Sequence, residues 1–137
     1  MKRLYRQQHL VDFMAVVMQF TRIKIKWSFF SDEAPDLKRA CWAFPLAGWL
    51  LGFIAGGLGQ ILILMDLPVI LGCAIAIAFC IYLSGAYHED GLADMADGFG
   101  AGGDGRRISN IIHDSRLGTY GVSALSLAII VRILLVS

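Results

Sequence analysis

Residues 67–98 read LPVILGCAIAIAFCIYLSGAYHEDGLADMADG. The first part, Leu67–Tyr87, is an apolar run of the length that crosses a bilayer, about 20 residues. It ends directly at an acidic string, because residues 88–98 contain four carboxylates. Unpaired charges that are buried in apolar surroundings are costly unless something compensates them. The stretch therefore predicts a membrane helix that leads into a cation site at the membrane surface.

The whole composition favours a membrane protein. The 137 residues are 57% hydrophobic and 17% charged, whereas soluble domains carry roughly 25% charged residues. Two more apolar stretches, Cys41–Met65 and Leu117–Val136, have spanning length. Leu10–Phe20 is too short to span and is predicted to be an interfacial helix. We therefore predict an all-α, polytopic integral membrane protein with about three transmembrane helices in a single domain, residues 1–137.

The distribution of basic residues predicts the orientation. Of the 12 Lys and Arg residues, 11 lie before the first span or between the second and third spans. Cytoplasmic loops are enriched in Lys and Arg, so the N-terminus and the acidic string are expected to be cytoplasmic. The twelfth, Arg132, lies near the far end of the third span, where we expect it to extend its charge to the external surface.

Glycines mark two further features. Gly48, Gly52 and Gly56 recur every four residues, which predicts a helix face for close helix packing. Residues 98–105 contain five glycines, which predicts a flexible loop whose backbone can approach a ligand. Arg107–Asp114 follows as a predicted short amphipathic cytoplasmic helix.

The acidic string can be read as a metal site. If the second span continues as a helix through residues 88–97, Asp90, Asp94 and Asp97 share one face at spacings of four and three residues. Oxygen ligands of this kind suit Mg²⁺, Mn²⁺ or Ca²⁺. His88 is open to three interpretations: a ligand, a general base, or an interfacial aromatic residue. Mg²⁺ usually completes its shell with water and substrate phosphate, which indicates a phosphorylated substrate.

Phosphate chemistry also needs cationic groups that face the developing charge. Arg116, in the sequence Asp114-Ser115-Arg116, is the best candidate, and Arg22 is the next.

These motifs resemble those of the cobalamin synthase family, the adenosylcobinamide-GDP ribazoletransferases. The similar strings are residues 88–98 (HEDGLADMADG) and 114–121 (DSRLGTYG), with Thr21-Arg22 and residues 44–48 (FPLAG) nearer the start. The resemblance covers the N-terminal half of the family domain. It implies a Mg²⁺-dependent, phosphoryl-type transferase that joins α-ribazole to adenosylcobinamide-GDP, releases GMP and forms adenosylcobalamin at the bacterial inner membrane.

The resemblance also implies roles for individual residues. The expected catalytic residues are His88, Asp90, Asp94, Asp97 and Arg116, and the expected metal ligands are Asp90, Asp94 and Asp97. The expected substrate-binding residues are Arg22, Asp114, Ser115 and Arg116. The expected partners are adenosylcobinamide-GDP, α-ribazole or its phosphate, the lipid bilayer, and other enzymes of nucleotide-loop assembly, with no nucleic acid.

Three alternatives remain open at this point. A CDP-alcohol phosphotransferase also carries spaced aspartates on membrane helices, but Asp94 stands where that motif has arginine after alanine. A cation transporter could hold aspartates, although transport sites tend to lie at mid-span. A fragment that retains the motif without activity is the third.

Overall fold

The computed structural model describes residues 2–24, 26–29 and 34–137, without the side chains of residues 2–7 and 29. These ranges contain six α-helices and no strand: α1 (Lys2–Phe20), α2 (Phe44–Leu64), α3 (Val69–Ser84), α4 (Tyr87–Ala101), α5 (Gly105–Ile112) and α6 (Thr119–Val136). Two short 3-10 helices, Trp27–Phe29 and Arg39–Ala43, lie between α1 and α2. The all-α prediction is confirmed.

Two segments of the described chain are long and apolar enough to cross a membrane, Arg39–Leu64 and Thr119–Val136. They match the predicted first and third spans. α2 has Pro45 in its first turn, where the missing N–H of proline leaves no helical hydrogen bond unmade. The predicted helix at Leu10–Phe20 is present as part of the longer α1.

The second predicted span ends earlier than the sequence suggested. α3 stops at Ser84, and α4 leaves it at an angle of 89°, so the second span does not continue as one straight helix into residues 88–97. Counted as one bent span, α3 and α4 would give the third of the predicted spans. Gly85 and Ala86 both adopt left-handed conformations, with φ of 70° and 61°. The N–H of Ala86 donates to the carbonyl oxygen of Ile81 at 2.9 Å, which closes the helix end in the manner of a Schellman motif.

α2 and α3 pack through glycines other than the predicted ones. A Cβ atom on Gly59 would lie 2.9 Å from the Cβ of Ala76, and one on Gly72 would lie 2.7 Å from Cγ1 of Ile63. The predicted face of Gly48, Gly52 and Gly56 is exposed, and a Cβ at any of these positions would meet no atom of the described residues within 4 Å. No helix among the described residues packs on the predicted face, and α3 instead contacts α2 nearer the C-terminal end of α2.

α1 is attached to the start of the first span by a buried carboxylate. Asp12 is 3% exposed and accepts hydrogen bonds from Arg39 Nε at 2.9 Å, Gln8 Nε2 at 3.2 Å and Trp42 Nε1 at 3.4 Å. Burial raises the pKa of Asp12, but the hydrogen bonds, that from Arg39 foremost, outweigh burial and hold the pKa below its ordinary value. Beside this network Val16 and Val17 of α1 pack in a small core, whose other buried members are Ala40, Ala43 and Ala47.

The glycine-rich segment is mostly helical. α4 continues through Gly98 and Gly100 to Ala101, so the predicted loop over residues 98–105 is reduced to residues 102–104. A Cβ on Gly98 would lie 2.7 Å from Cγ1 of Ile112, and one on Gly100 would lie 2.5 Å from Cγ of Tyr120. These glycines therefore allow α5 and α6 to approach α4 closely, and their role here is packing.

Candidate functional site

α5 begins where Asp104 caps it. The Asp104 carboxylate accepts the backbone N–H of Arg107 at 2.9 Å, which satisfies one of the free donors at a helix start. The helix covers Gly105–Ile112, so the predicted short helix is confirmed with both ends shifted two residues earlier. The chain that leaves it, residues 113–118, returns toward α4 and carries the Asp-Ser-Arg sequence.

A cavity of about 420 Å³ lies between α4 and this returning segment. Its polar lining combines acids of α4 with the returning segment: Glu89, Asp90, Asp94, His113, Asp114, Ser115 and Arg116. Five residues predicted from the sequence thus meet at one place, namely Asp90, Asp94, Asp114, Ser115 and Arg116. Segments 20 residues apart in the sequence therefore face each other across one space.

Arg116 is held by Asp114. Its Nε lies 3.1 Å and 3.0 Å from the two carboxylate oxygens, and its terminal NH2 nitrogen lies 2.6 Å from Oδ2. These hydrogen bonds lower the pKa of Asp114 below its ordinary value and raise that of Arg116. The side chain of Arg116 is 87% exposed, so the guanidinium is oriented by Asp114 and is still accessible to an anion.

Asp97 points elsewhere. It is 7% exposed, and its two oxygens accept the backbone N–H groups of Gly118 and Gly121, each at 2.8 Å. It does not line the cavity of Asp90 and Asp94. It lines a smaller cavity of about 270 Å³, which shares Asp114 and Arg116 with the first. The structure thus divides the predicted set of three metal ligands. Two of them line the 420 Å³ cavity, and the third accepts hydrogen bonds from the backbone.

Glu89 and His113 line the 420 Å³ cavity, but they were not among the predicted site residues. Glu89 Oε1 forms an ion pair with Arg132 at 2.7 Å, while Oε2 is buried without a hydrogen-bond partner among the described residues. The prediction that Arg132 extends to the external surface is therefore wrong, because α6 lies along α4 and the two charges meet. His113 Nδ1 donates to the carbonyl oxygen of Ser109 at 2.7 Å. Glu89 belongs to the acidic string that the sequence singled out, but its spacing did not place it with Asp90 and Asp94, and no signal in the sequence indicated His113.

His88 and Arg22 lie outside the cavity. The ring of His88 stacks on Phe20 with 6.1 Å between centroids. Arg22 lies over the ring of Tyr82, with its guanidinium carbon 5.4 Å from the centroid. Arg22 lines a separate cavity of about 650 Å³ together with Lys24. The structure therefore separates these two predicted residues from Asp90 and Asp94.

Within the described part of the chain, no three His, Cys, Asp or Glu side chains form a group that could hold a metal ion. Mg²⁺ is commonly bound by one or two carboxylates together with water and substrate phosphates. Asp90 and Asp94, four residues apart on one helix and lining one cavity, fit that pattern.

Comparison with known proteins gives a consistent result. The family model for Cobalamin-5-phosphate synthase (CobS) matches residues 12–137. An adenosylcobinamide-GDP ribazoletransferase of Azorhizobium caulinodans is 38% identical over 128 residues, which cover 92% of this chain and 48% of that protein. The enzyme of the same name from Ralstonia pickettii is 39% identical, over 92% of this chain and 49% of its own length. A third, from Bradyrhizobium diazoefficiens, is 44% identical over 72% of this chain and 38% of its own.

The chain spans about half the length of the curated relatives it matches. No solved structure matches it.

Proposed function

Because this chain belongs to the Cobalamin-5-phosphate synthase family, we propose that it carries the phosphate-handling site of a membrane-bound ribazoletransferase. The proposed reaction joins α-ribazole to adenosylcobinamide-GDP, releases GMP and forms adenosylcobalamin; with α-ribazole phosphate as the substrate, the product is adenosylcobalamin phosphate. The relatives whose names state this activity are about twice as long as the chain, so the proposal concerns the part of the reaction that these residues can perform.

The single observation that carries the proposal is the composition of the 420 Å³ cavity. Two carboxylates of α4, Asp90 and Asp94, face Arg116 across it, and Asp114 orients the guanidinium by side-chain hydrogen bonds. Carboxylates that can hold a divalent cation and an arginine that can bind phosphate oxygens are the recurring parts of phosphoryl-transfer sites.

The reaction needs one bond to form and one to break at the same phosphorus. A ribose hydroxyl oxygen of α-ribazole, one that stays free when the substrate is its phosphate, bonds to the phosphorus attached to cobinamide, and its proton is released. The bond from that phosphorus to the bridging oxygen of the pyrophosphate breaks, and GMP leaves with the bonding electrons. Negative charge increases on the phosphate oxygens in the transition state, where the fork of N–H donors of Arg116 would stabilise it.

We propose that Asp90 and Asp94 would hold Mg²⁺. The ion would neutralise the pyrophosphate and the leaving phosphate. Asp114 keeps the guanidinium of Arg116 in place, and the hydroxyl of Ser115 at the cavity wall can donate to a phosphate oxygen. The predicted roles of Arg22 in substrate binding and of His88 in catalysis remain proposals. Arg22 and Lys24 would bind an anionic part of the substrate from their separate cavity.

We also propose the bacterial inner membrane as the location, with the N-terminus and α4 on the cytoplasmic side. The support is the apolar length of the spans and the distribution of Lys and Arg described above. Other enzymes of nucleotide-loop assembly are proposed partners, because the substrate and the product belong to that sequence of reactions.

The test measures GMP release in membranes given adenosylcobinamide-GDP, α-ribazole and Mg²⁺. One sample contains this chain alone, and a second also contains the part of the Azorhizobium caulinodans relative that this chain does not match. We expect release in at least one sample, with a loss of about 100-fold or more in Asp94→Asn and Arg116→Ala. Asp66→Asn is the matched control, because Asp66 is exposed in the turn between α2 and α3. No release in either sample, or unchanged release in Asp94→Asn, contradicts the proposal.

A further inference from the structure

The carboxylate of Asp97 forms a cap for a helix to which it does not belong. Its oxygens accept the N–H groups of Gly118 and Gly121, the residue before α6 and the third residue of α6. The N-cap residue of α6 is Gly118, which has no side chain to satisfy these donors. A negative charge at a helix N-terminus is also favoured by the helix dipole. Asp97 of α4 therefore provides the N-terminal cap that Gly118 cannot provide for α6.

The contact leaves no room for a side chain on either glycine. A Cβ atom on Gly118 would lie 2.5 Å from Oδ1 of Asp97, and one on Gly121 would overlap Oδ2. Real Cβ atoms do not approach an oxygen this closely, so alanine at either position would displace the carboxylate. The two glycines therefore allow the short hydrogen bonds to a buried acid.

This contact fixes the end of the segment that carries Arg116. Gly118 lies two residues after Arg116, and Arg116 lines both the cavity of Asp90 and Asp94 and the cavity of Asp97. Asp97 lies on the same helix as Asp94, three residues further along. An anchor at Gly118 therefore sets the distance between the arginine and the acids of α4.

We propose that Asp97 is a positioning residue: it holds the segment of Arg116 against α4 through the backbone of Gly118 and Gly121, and it does not bind the metal. The proposal deepens the proposed function and rests on it for its kinetic test. Its structural test does not depend on activity.

The structural test is amide hydrogen exchange of the full chain in detergent micelles, followed in the peptide that covers residues 117–124. We expect exchange at least about tenfold faster in Asp97→Asn, the factor for loss of one charge-assisted hydrogen bond. Gly121→Ala is the second variant and should give the same result. Asp94→Asn and Gly105→Ala are controls. Gly105→Ala is suitable because a Cβ on Gly105 would meet no atom of the described part of the chain within 4 Å. Unchanged exchange in both Asp97→Asn and Gly121→Ala overturns the proposal.

The kinetic test separates positioning from metal binding. We expect Asp97→Asn and Gly121→Ala to raise KM for adenosylcobinamide-GDP by about tenfold and to leave the Mg²⁺ concentration for half-maximal rate unchanged. Asp94→Asn should shift that Mg²⁺ concentration. A shift in Asp97→Asn comparable to that in Asp94→Asn would mean that Asp97 is a metal ligand, and the proposal would be wrong. If the unmodified protein releases no GMP, the proposed function fails while the exchange result still decides the positioning contact.

Discussion

Removal of the Asp12 carboxylate should detach α1 from the first span. Asp12 is almost fully buried, whereas the side chain of its partner Arg39 is 45% exposed. The burial of this ion pair is therefore intermediate. Exposed ion pairs contribute about 0.2–1 kcal/mol to stability, and the disruption of buried ion pairs costs about 3–5 kcal/mol. We expect a coupling energy of about 1.5 kcal/mol between Asp12 and Arg39, a value near the lower end for hydrogen bonds to charged groups.

The total cost of Asp12→Ala should exceed this coupling, because the hydrogen bonds from Gln8 and Trp42 are lost as well. Trp42 is 42% exposed, so its N–H can be rehydrated and adds little. We estimate about 2–3 kcal/mol in all, which corresponds to a decrease of about 6–10 °C in Tm for a chain of this size.

The assay is a double-mutant cycle in detergent micelles, with Tm and unfolding free energy measured by tryptophan fluorescence. The variants are Asp12→Ala, Arg39→Ala and the double variant, and Lys38→Ala is the control because Lys38 is exposed beside Arg39. Additive effects of the two single variants, within about 0.3 kcal/mol, would refute the reasoning, since the ion pair would then contribute nothing to the attachment of α1.

Two further predictions concern pH and orientation. The pKa of Asp12 lies below its ordinary value of 3.8, so its ionised form stabilises the fold: the difference in Tm between the protein and Asp12→Asn should be full above the unfolded pKa and vanish as pH falls through the lower folded pKa. A difference that grows toward low pH would contradict this. For orientation, Asp104→Cys in a background with the native cysteines replaced by serine should react with an impermeant thiol reagent in right-side-out vesicles only after permeabilisation, and Asp66→Cys should react at once. The reverse pattern would invert the proposed topology.

The sequence predicts the elements whose signals are local. Hydropathy over about 20 residues identifies Arg39–Leu64 and Thr119–Val136 as spans, since each backbone hydrogen bond in such a segment is made within the helix. The spacing of Asp90 and Asp94 correctly places both on one helix, and the structure places the Asp-Ser-Arg sequence on the lining of the same cavity.

The features that sequence reasoning missed depend on contacts between distant segments. The bend at Gly85 needs a second left-handed residue, and Ala86 gives no signal for that conformation. Asp97 has the spacing to Asp94 that a metal ligand on the same helix would have. Its oxygens instead accept hydrogen bonds from backbone N–H groups at the N-terminus of α6. The glycine pattern was equally ambiguous. Periodicity favoured the face of Gly48 for helix packing, whereas close packing occurs at Gly59, where Gly72 of α3 leaves room for α2.

The bend after α3 also links the depth of α4 in the membrane to the thickness of the bilayer. α3 has 16 residues, which rise about 24 Å as a helix, while the hydrocarbon core of a bilayer is about 30 Å thick. If α3 crosses with its loop at one surface, α4 and its acids begin about 6 Å inside the opposite boundary unless the lipid thins there. Hydrophobic mismatch of this size costs fractions of a kcal/mol per ångström. In that arrangement we expect the hydration of Asp90 and Asp94, and with it the proposed binding of Mg²⁺, to depend on the acyl-chain length of the surrounding lipid.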